Sequence, residues 1–170
     1  MSKKPARQQP HEARSNSRLA AVQALYQMDI GGADIGDVLA QFGASPSGHT
    51  FYDPETYELY YLPEASGENG FEADADFFES IVRGVVEKQA ELDPAIDKAL
   101  ASGWRLPRLD ATLRATLRAG TFEIYGRTDV PPKTVINEYV TVAKAFFDGD
   151  EPKVVNAVLD RLAREHLGKV

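Results

Sequence analysis

Residues 108–129 read RLDATLRATLRAGTFEIYGRTD. Leu109, Leu113, Leu117, Gly120 and Ile124 recur at helical steps, so one stripe of a helix is apolar or small. Arg108, Arg114 and Arg118 lie off that stripe and are expected to put positive charge on the other faces. Gly126 stands where a helix of this length needs a left-handed residue to stop. Gly120 sits in the helix interior, where glycine costs about 1 kcal/mol relative to alanine. Its presence there predicts close approach of another helix backbone.

Downstream, DVPPKTVINEYVTVAKAFF (129–147) carries Pro131 and Pro132, which fit only a lead-in or a first turn because neither has an N–H to donate. Val135, Ile136, Tyr139, Ala143, Phe146 and Phe147 then form a wide apolar face. The run is rich in β-branched residues, but strict alternation is absent and the spacing selects a helix. DGDEPKVVNAVLDRLAREHL (148–167) places Pro152 in another first turn, with Asp150 and Glu151 beside the positive end of the helix dipole. Val155, Val158, Leu159 and Leu162 make its inward stripe.

Upstream, Met1 to about Ser15 has nothing to bury and reads as a disordered basic arm over residues 1–15. Ser15, Asn16 or Ser17 can cap a first helix with Leu19, Val22, Leu25, Tyr26 and Met28 on its apolar face, ended by Gly31 and Gly32. IGDVLAQF (35–42) is a short second helix with Val38, Leu39 and Phe42 inward. Residues 43–73 show no helical stripe and read as a loop insertion holding a Tyr/Phe cluster. Within it, TYELYYL (56–62) is compatible with a strand or a helical turn. Asp74 or Asp76 caps the next helix, which buries Phe77, Phe78, Ile81, Val82, Val85 and Val86; Asp93-Pro94 is expected to restart a shorter helix. Gly103, Trp104 and Pro107 lead into the helix that opened this description. The sum is an all-α bundle of six to seven helices, one domain over residues 16–170.

The 170 residues suffice for a real core, and no apolar run approaches a membrane span. With no cysteine in the chain, disulfides, thiolate metal sites and a cysteine nucleophile are excluded. These features fit a cytoplasmic location. The net charge of −7 is unevenly spread: residues 1–18 carry five basic side chains and one acidic, while residues 29–79 carry twelve acidic side chains and no Lys or Arg. A basic arm on an acidic protein hints at an anionic partner. His11, His49 and His166 are too scattered for a metal site or a catalytic triad. The glycines at 31, 32 and 36 do not follow a strand, so no phosphate-binding loop is present. No catalytic residue, metal ligand or cofactor site emerges, and binding is the better reading.

DVPPKTVINEYVTVAKAF followed by VVNAVLDRLA resembles the C-terminal signature of the NusB family of bacterial transcription antitermination factors, and AAVQALYQMDI (20–30) resembles that family's first helix. The resemblance implies two small helical subdomains packed together, no enzymatic activity and no cofactor. It implies binding of boxA-type RNA in ribosomal RNA leaders together with NusE, a small-subunit ribosomal protein, within an RNA polymerase antitermination complex. Against the family members it resembles, the stretch over residues 43–73 looks like an insertion. The same domain also occurs fused to ribosomal RNA cytosine methyltransferases, so a stand-alone, non-catalytic relative of those is the alternative.

Arg14 and Arg18, four apart at the start of the first helix, match the family's arginine-rich RNA-binding turn; their forked guanidinium groups suit phosphates. Lys133 and Lys153 match basic positions near the RNA surface, and Tyr26 a tyrosine on the NusE side. Val154 stands where relatives often place a phenylalanine able to stack on a base, and Ala157 replaces a usual glycine. Asn137, Glu138 and Asn156 are expected to hydrogen-bond to neighbouring helix ends or to one another.

Overall fold

The computed structural model describes the backbone of residues 10–43, 50–52, 59–61 and 74–168, and the side chains of residues 13–40 and 74–168. The chain divides into two compact units, Met1–Ser80 and Ile81–Val170. Among the described residues there are six α-helices, as the apolar periodicity predicts.

The first unit opens with α1 (Pro10–Gly31), which starts inside the stretch expected to be a disordered arm; residues 1–9 of that arm lie outside the described residues. Proline is well suited to a first helical position because its missing N–H would be unpaired there anyway. None of Ser15, Asn16 and Ser17 is the cap, since all three sit inside the helix. Ser17 is fully buried. Its Oγ lies 2.9 Å from Ala13 O and 2.8 Å from Asp74 O, and accepts the Asp74 amide at 2.7 Å. That tie requires a helical turn upstream of Ser17, which is why the helix extends beyond what local sequence suggests. Gly32, at φ +65°, donates its amide to Met28 O at 3.0 Å and stops α1 as a left-handed residue.

In α2 (Ile35–Gly43), the Asp34 carboxylate accepts the Gly36 amide at 3.0 Å and Val38 is buried; the Phe42 side chain lies outside the described ones. Two short strands lie between α2 and α3, β1 (Thr50–Tyr52) and β2 (Leu59–Tyr61), paired antiparallel with Phe51 opposite Tyr60. Part of TYELYYL is therefore strand, as its aromatic content favours. Residues 44–49, 53–58 and 62–73, the rest of the expected loop insertion, lie outside the described residues. Asp74 Oδ1 accepts the Phe77 amide at 3.0 Å and caps α3 (Ala75–Ala99), whose first turns belong to this unit.

In the second unit, α3 runs unbroken past Pro94, contrary to the expected restart. Burial explains the continuity: Val85, Leu92, Ile96 and Ala99 keep one stripe in phase across the proline. Val86, read as inward, is exposed. After a turn at Gly103 (φ +94°) and a 3₁₀ turn at Leu106–Arg108, Asp110 caps α4 (Ala111–Gly126) by accepting the Thr112 and Leu113 amides at 2.8 and 3.3 Å.

The α4 stripe is as expected, with Leu113, Leu117 and Ile124 buried, but two features of that helix differ. Arg118 does not put charge on a solvent face: it is 9% exposed, and its Nε and Nη2 fork the Asp93 carboxylate of α3 at 2.8 Å each. Gly126 does not adopt a left-handed conformation; it is the last helical residue, with the Phe122 ring 3.1 Å from where a Cβ would sit.

Gly120 does mark a close approach, though of side chains rather than backbone. A Cβ there would lie 2.7 Å from Leu159 Cδ1 and 3.2 Å from Tyr139 Cδ2. Those two residues come from α6 (Glu151–Leu167) and α5 (Pro132–Phe146), which pack on α4 and on each other. Tyr139 is fully buried and donates its hydroxyl to the equally buried Glu123 carboxylate, which answers the polar demand of that core.

Candidate nucleic-acid interface

In the first unit, Arg14 and Arg18 share one face of α1, as their spacing requires, and both guanidinium groups lie over the Phe77 ring at 4.7 and 4.9 Å from its centroid. Phe77 is itself buried, so it holds both cations at a fixed height. The two arginines then differ. Arg18 is 3% exposed, whereas Arg14 is half-buried and reachable from solvent. Two arginines alike in the sequence thus differ in burial. Arg18→Ala should lower stability by about 1–2 kcal/mol through lost stacking and packing of its stem; a urea denaturation midpoint unchanged from the parent would show that Phe77 does not depend on it. Tyr26 is half-buried in the same helix.

In the second unit, Lys133 stands exposed in the first turn of α5, and Lys153 in the first turn of α6. The Lys153 ammonium is 3.9 Å from Asp150 Oδ1, with both side chains more than four-fifths exposed (87% and 82%). Such a pair contributes little and exchanges readily with another anion. Lys133 lines an open groove of about 520 Å³ with Asn137, Asn156, Asp160 and Arg164. Asn137 and Asn156 were expected to brace helix ends. Both are instead exposed and make no side-chain hydrogen bond among the described residues. Both line the groove instead of being buried between helices.

A second open groove, of about 590 Å³, is lined by Trp104 and, from α6, by Lys153, Val154, Ala157 and Arg161. Reading the sequence gave Trp104 only a connecting role. The signal for more was its type: it is the single tryptophan of the chain, and it stays 38% exposed. Near the C-terminal end of α6, Tyr125 stacks on His166 with ring centroids 4.8 Å apart. Burial, and then the nearby Glu165 carboxylate, push the Tyr125 hydroxyl above the ordinary tyrosine range. Among the described residues no cluster of His, Asp and Glu could hold a metal ion, and no helix is long and apolar enough to cross a membrane.

Residues 15–164 match the model of the NusB family. The chain is 51% identical over 156 residues to the transcription antitermination protein NusB of Rhizobium rhizogenes, covering 92% of this chain and 89% of that protein. Among solved structures, T. maritima NusB superposes with a TM-score of 0.68 at 26% identity, covering 95% of this chain and 94% of that one. A structure of antitermination factors NusB and NusE in complex with dsRNA gives a TM-score of 0.65 over 89% of this chain and 96% of that one. Its identity of 21% makes it evidence of the shared fold.

Proposed function

The chain belongs to the NusB family of transcription antitermination proteins, a non-enzymatic family, and from that premise we propose that it acts in the cytoplasm by binding boxA-type RNA of ribosomal RNA leaders together with the ribosomal protein NusE. This pairing would serve an RNA polymerase antitermination complex. A relative of the same fold has been seen with NusE and RNA, which supports the choice of partners. The observation that carries the reading in this chain is Arg14, a half-buried residue whose guanidinium is set over Phe77. A cation held in place loses little entropy when a phosphate arrives, and each phosphate neutralised releases counterions.

Arg14, Lys133 and Lys153 are the proposed phosphate contacts. Arg18 is the positioning residue that shares Phe77 with Arg14, and Tyr26 is the proposed NusE contact, an aromatic with a polar tip suited to a protein interface. The overall charge of −7 makes RNA binding alone weak, and a basic ribosomal protein bound alongside would make it cooperative and reciprocal. The alternative, a stand-alone and non-catalytic relative of ribosomal RNA methyltransferases, has less support, because the Rhizobium rhizogenes relative matched over 89% of its length is a transcription antitermination protein.

The test is titration of labelled boxA-type RNA at several salt concentrations, with and without NusE. Neutralising Arg14, Lys133 and Lys153 together should flatten the slope of log affinity against log salt by about 2, and leave binary NusE affinity intact. Tyr26→Ala should weaken NusE binding and spare binary RNA binding. An unchanged salt slope in the triple variant would show that RNA binds elsewhere.

A further inference from the structure

We propose that the groove lined by α5 and α6 binds an extended, acidic and aliphatic segment of a partner protein, with Asn137 and Asn156 hydrogen-bonding its backbone. The inference goes beyond the RNA reading and does not depend on it. Three observations carry it. Asn137 and Asn156 line the groove, are exposed, and make no side-chain hydrogen bond among the described residues. Leu167, which lines it too, is 58% exposed, the most of any large apolar side chain among the described residues. The charges of the lining, Lys133 and Arg164 against Asp160, leave a net of +1 in a chain whose net charge is −7.

Asn156, Asp160, Ala163, Arg164 and Leu167 recur at helical steps and so share one face of α6. At the rise of an α-helix that face is about 16 Å long, the span of about five residues of extended chain. Each asparagine amide offers both a donor and an acceptor. An extended segment has backbone N–H and C=O groups to meet them, whereas a helix has already paired its own. Ile136 and Ala163, both buried, join Leu167 as the apolar lining, which suits an aliphatic side chain. Arg164 selects for an acidic neighbour. Its Nε meets Asp160 Oδ2 at 3.0 Å, but the two side chains are 79% and 46% exposed. An exposed pair of this kind yields to another carboxylate at little cost. RNA is disfavoured, because no aromatic ring in the lining offers a base a stacking face and the Asp160 carboxylate opposes a phosphate backbone.

The full chain, fluorescently labelled, is used to probe an array of heptapeptides mixing Asp and Glu with Leu, Ile and Val. Two control arrays replace the acids by Lys and Arg, or the aliphatic residues by Ser. The strongest binders from each are then titrated by anisotropy. The acidic and aliphatic set should supply the tight ones. Asn137→Ala combined with Asn156→Ala should weaken them about tenfold, and Arg164→Glu at least as much. Lys133 is left intact in these variants because it is also a proposed phosphate contact, and circular dichroism checks their fold. Binding of boxA-type RNA by the double asparagine variant should match the parent. No binder in the acidic and aliphatic set, or equal affinity for the basic set, overturns the proposal. So does a double asparagine variant that binds the peptides like the parent. Loss of RNA binding in that variant would assign the groove to RNA and overturn it as well. Self-association of the chain in sedimentation, abolished by Arg164→Glu, would assign the groove to a second copy, with the same consequence.

Discussion

Asp93→Ala should destabilise the protein by about 2–4 kcal/mol, one of the two largest effects expected of any single substitution considered. The Arg118 side chain is 11% exposed and that of Asp93 27%, and the two groups meet through parallel 2.8 Å bonds from Nε and Nη2. Bidentate geometry of this kind is among the stronger hydrogen-bonding arrangements. Removing the carboxylate leaves a guanidinium away from water with its strongest acceptor gone. The lower end of the range reflects the quarter of the Asp93 side chain that water still reaches. Asp93→Asn, which keeps an acceptor but not the charge, should fall between the parent and the alanine variant. Replacing both partners by apolar residues, Asp93→Leu with Arg118→Met, should recover much of the loss, since no unpaired charge remains. Denaturant midpoints followed by circular dichroism decide the matter. A shift below about 0.5 kcal/mol for Asp93→Ala would show the pair to be solvent-screened, as exposed pairs are.

That pair also shows where the sequence stops being legible. The α4 stripe of Leu113, Leu117 and Ile124 could be read from spacing because its period follows directly from helix geometry. Arg118 could not be placed by the same logic. A buried arginine is defined by its partner, and Asp93 lies 25 residues away on another helix. The continuity of α3 escaped for a related reason: Pro94 is a local signal against helix, while the stripe through Leu92 and Ile96 that overrides it is a tertiary one. At the candidate interface, Arg14 and Arg18 were equivalent by type and spacing. Only their different burial beside Phe77 separates them, Arg18 buried and Arg14 half-buried. Asn137 and Asn156 looked like braces because polar residues on apolar helices usually are. They sit on a groove rim because α5 and α6 meet along the apolar residues beside them, Val135, Tyr139, Val155 and Leu159. Trp104 was visible as a residue type, but its groove depends on how the turn after α3 lies against α6.

Gly84→Ala should destabilise by about 2 kcal/mol, although alanine is the better helix former. Gly84 lies inside α3, where the substitution alone would gain about 1 kcal/mol of helix propensity. Packing opposes that gain. A Cβ at position 84 would lie 2.1, 2.2 and 2.7 Å from Cζ, Cε2 and Cε1 of Phe122 on α4, far inside van der Waals contact. An aromatic ring cannot yield by bending, so it must turn away or push the helices apart. Turning is restricted, because the same ring lies 3.1 Å from the Cβ position of Gly126 one turn along α4. Phe122 thus fits between two glycines, and overfilling such a site costs about 1–3 kcal/mol and sometimes more. Phe122→Leu in the Gly84→Ala background should restore part of the loss, giving a coupling energy of at least about 1 kcal/mol in a double-mutant cycle. Should Gly84→Ala raise the thermal midpoint, Phe122 would have to have another rotamer open to it. The propensity gain would then outweigh the contact. Because α3 and α4 flank the turn that carries Trp104, the destabilised variant should also show altered tryptophan emission before it unfolds.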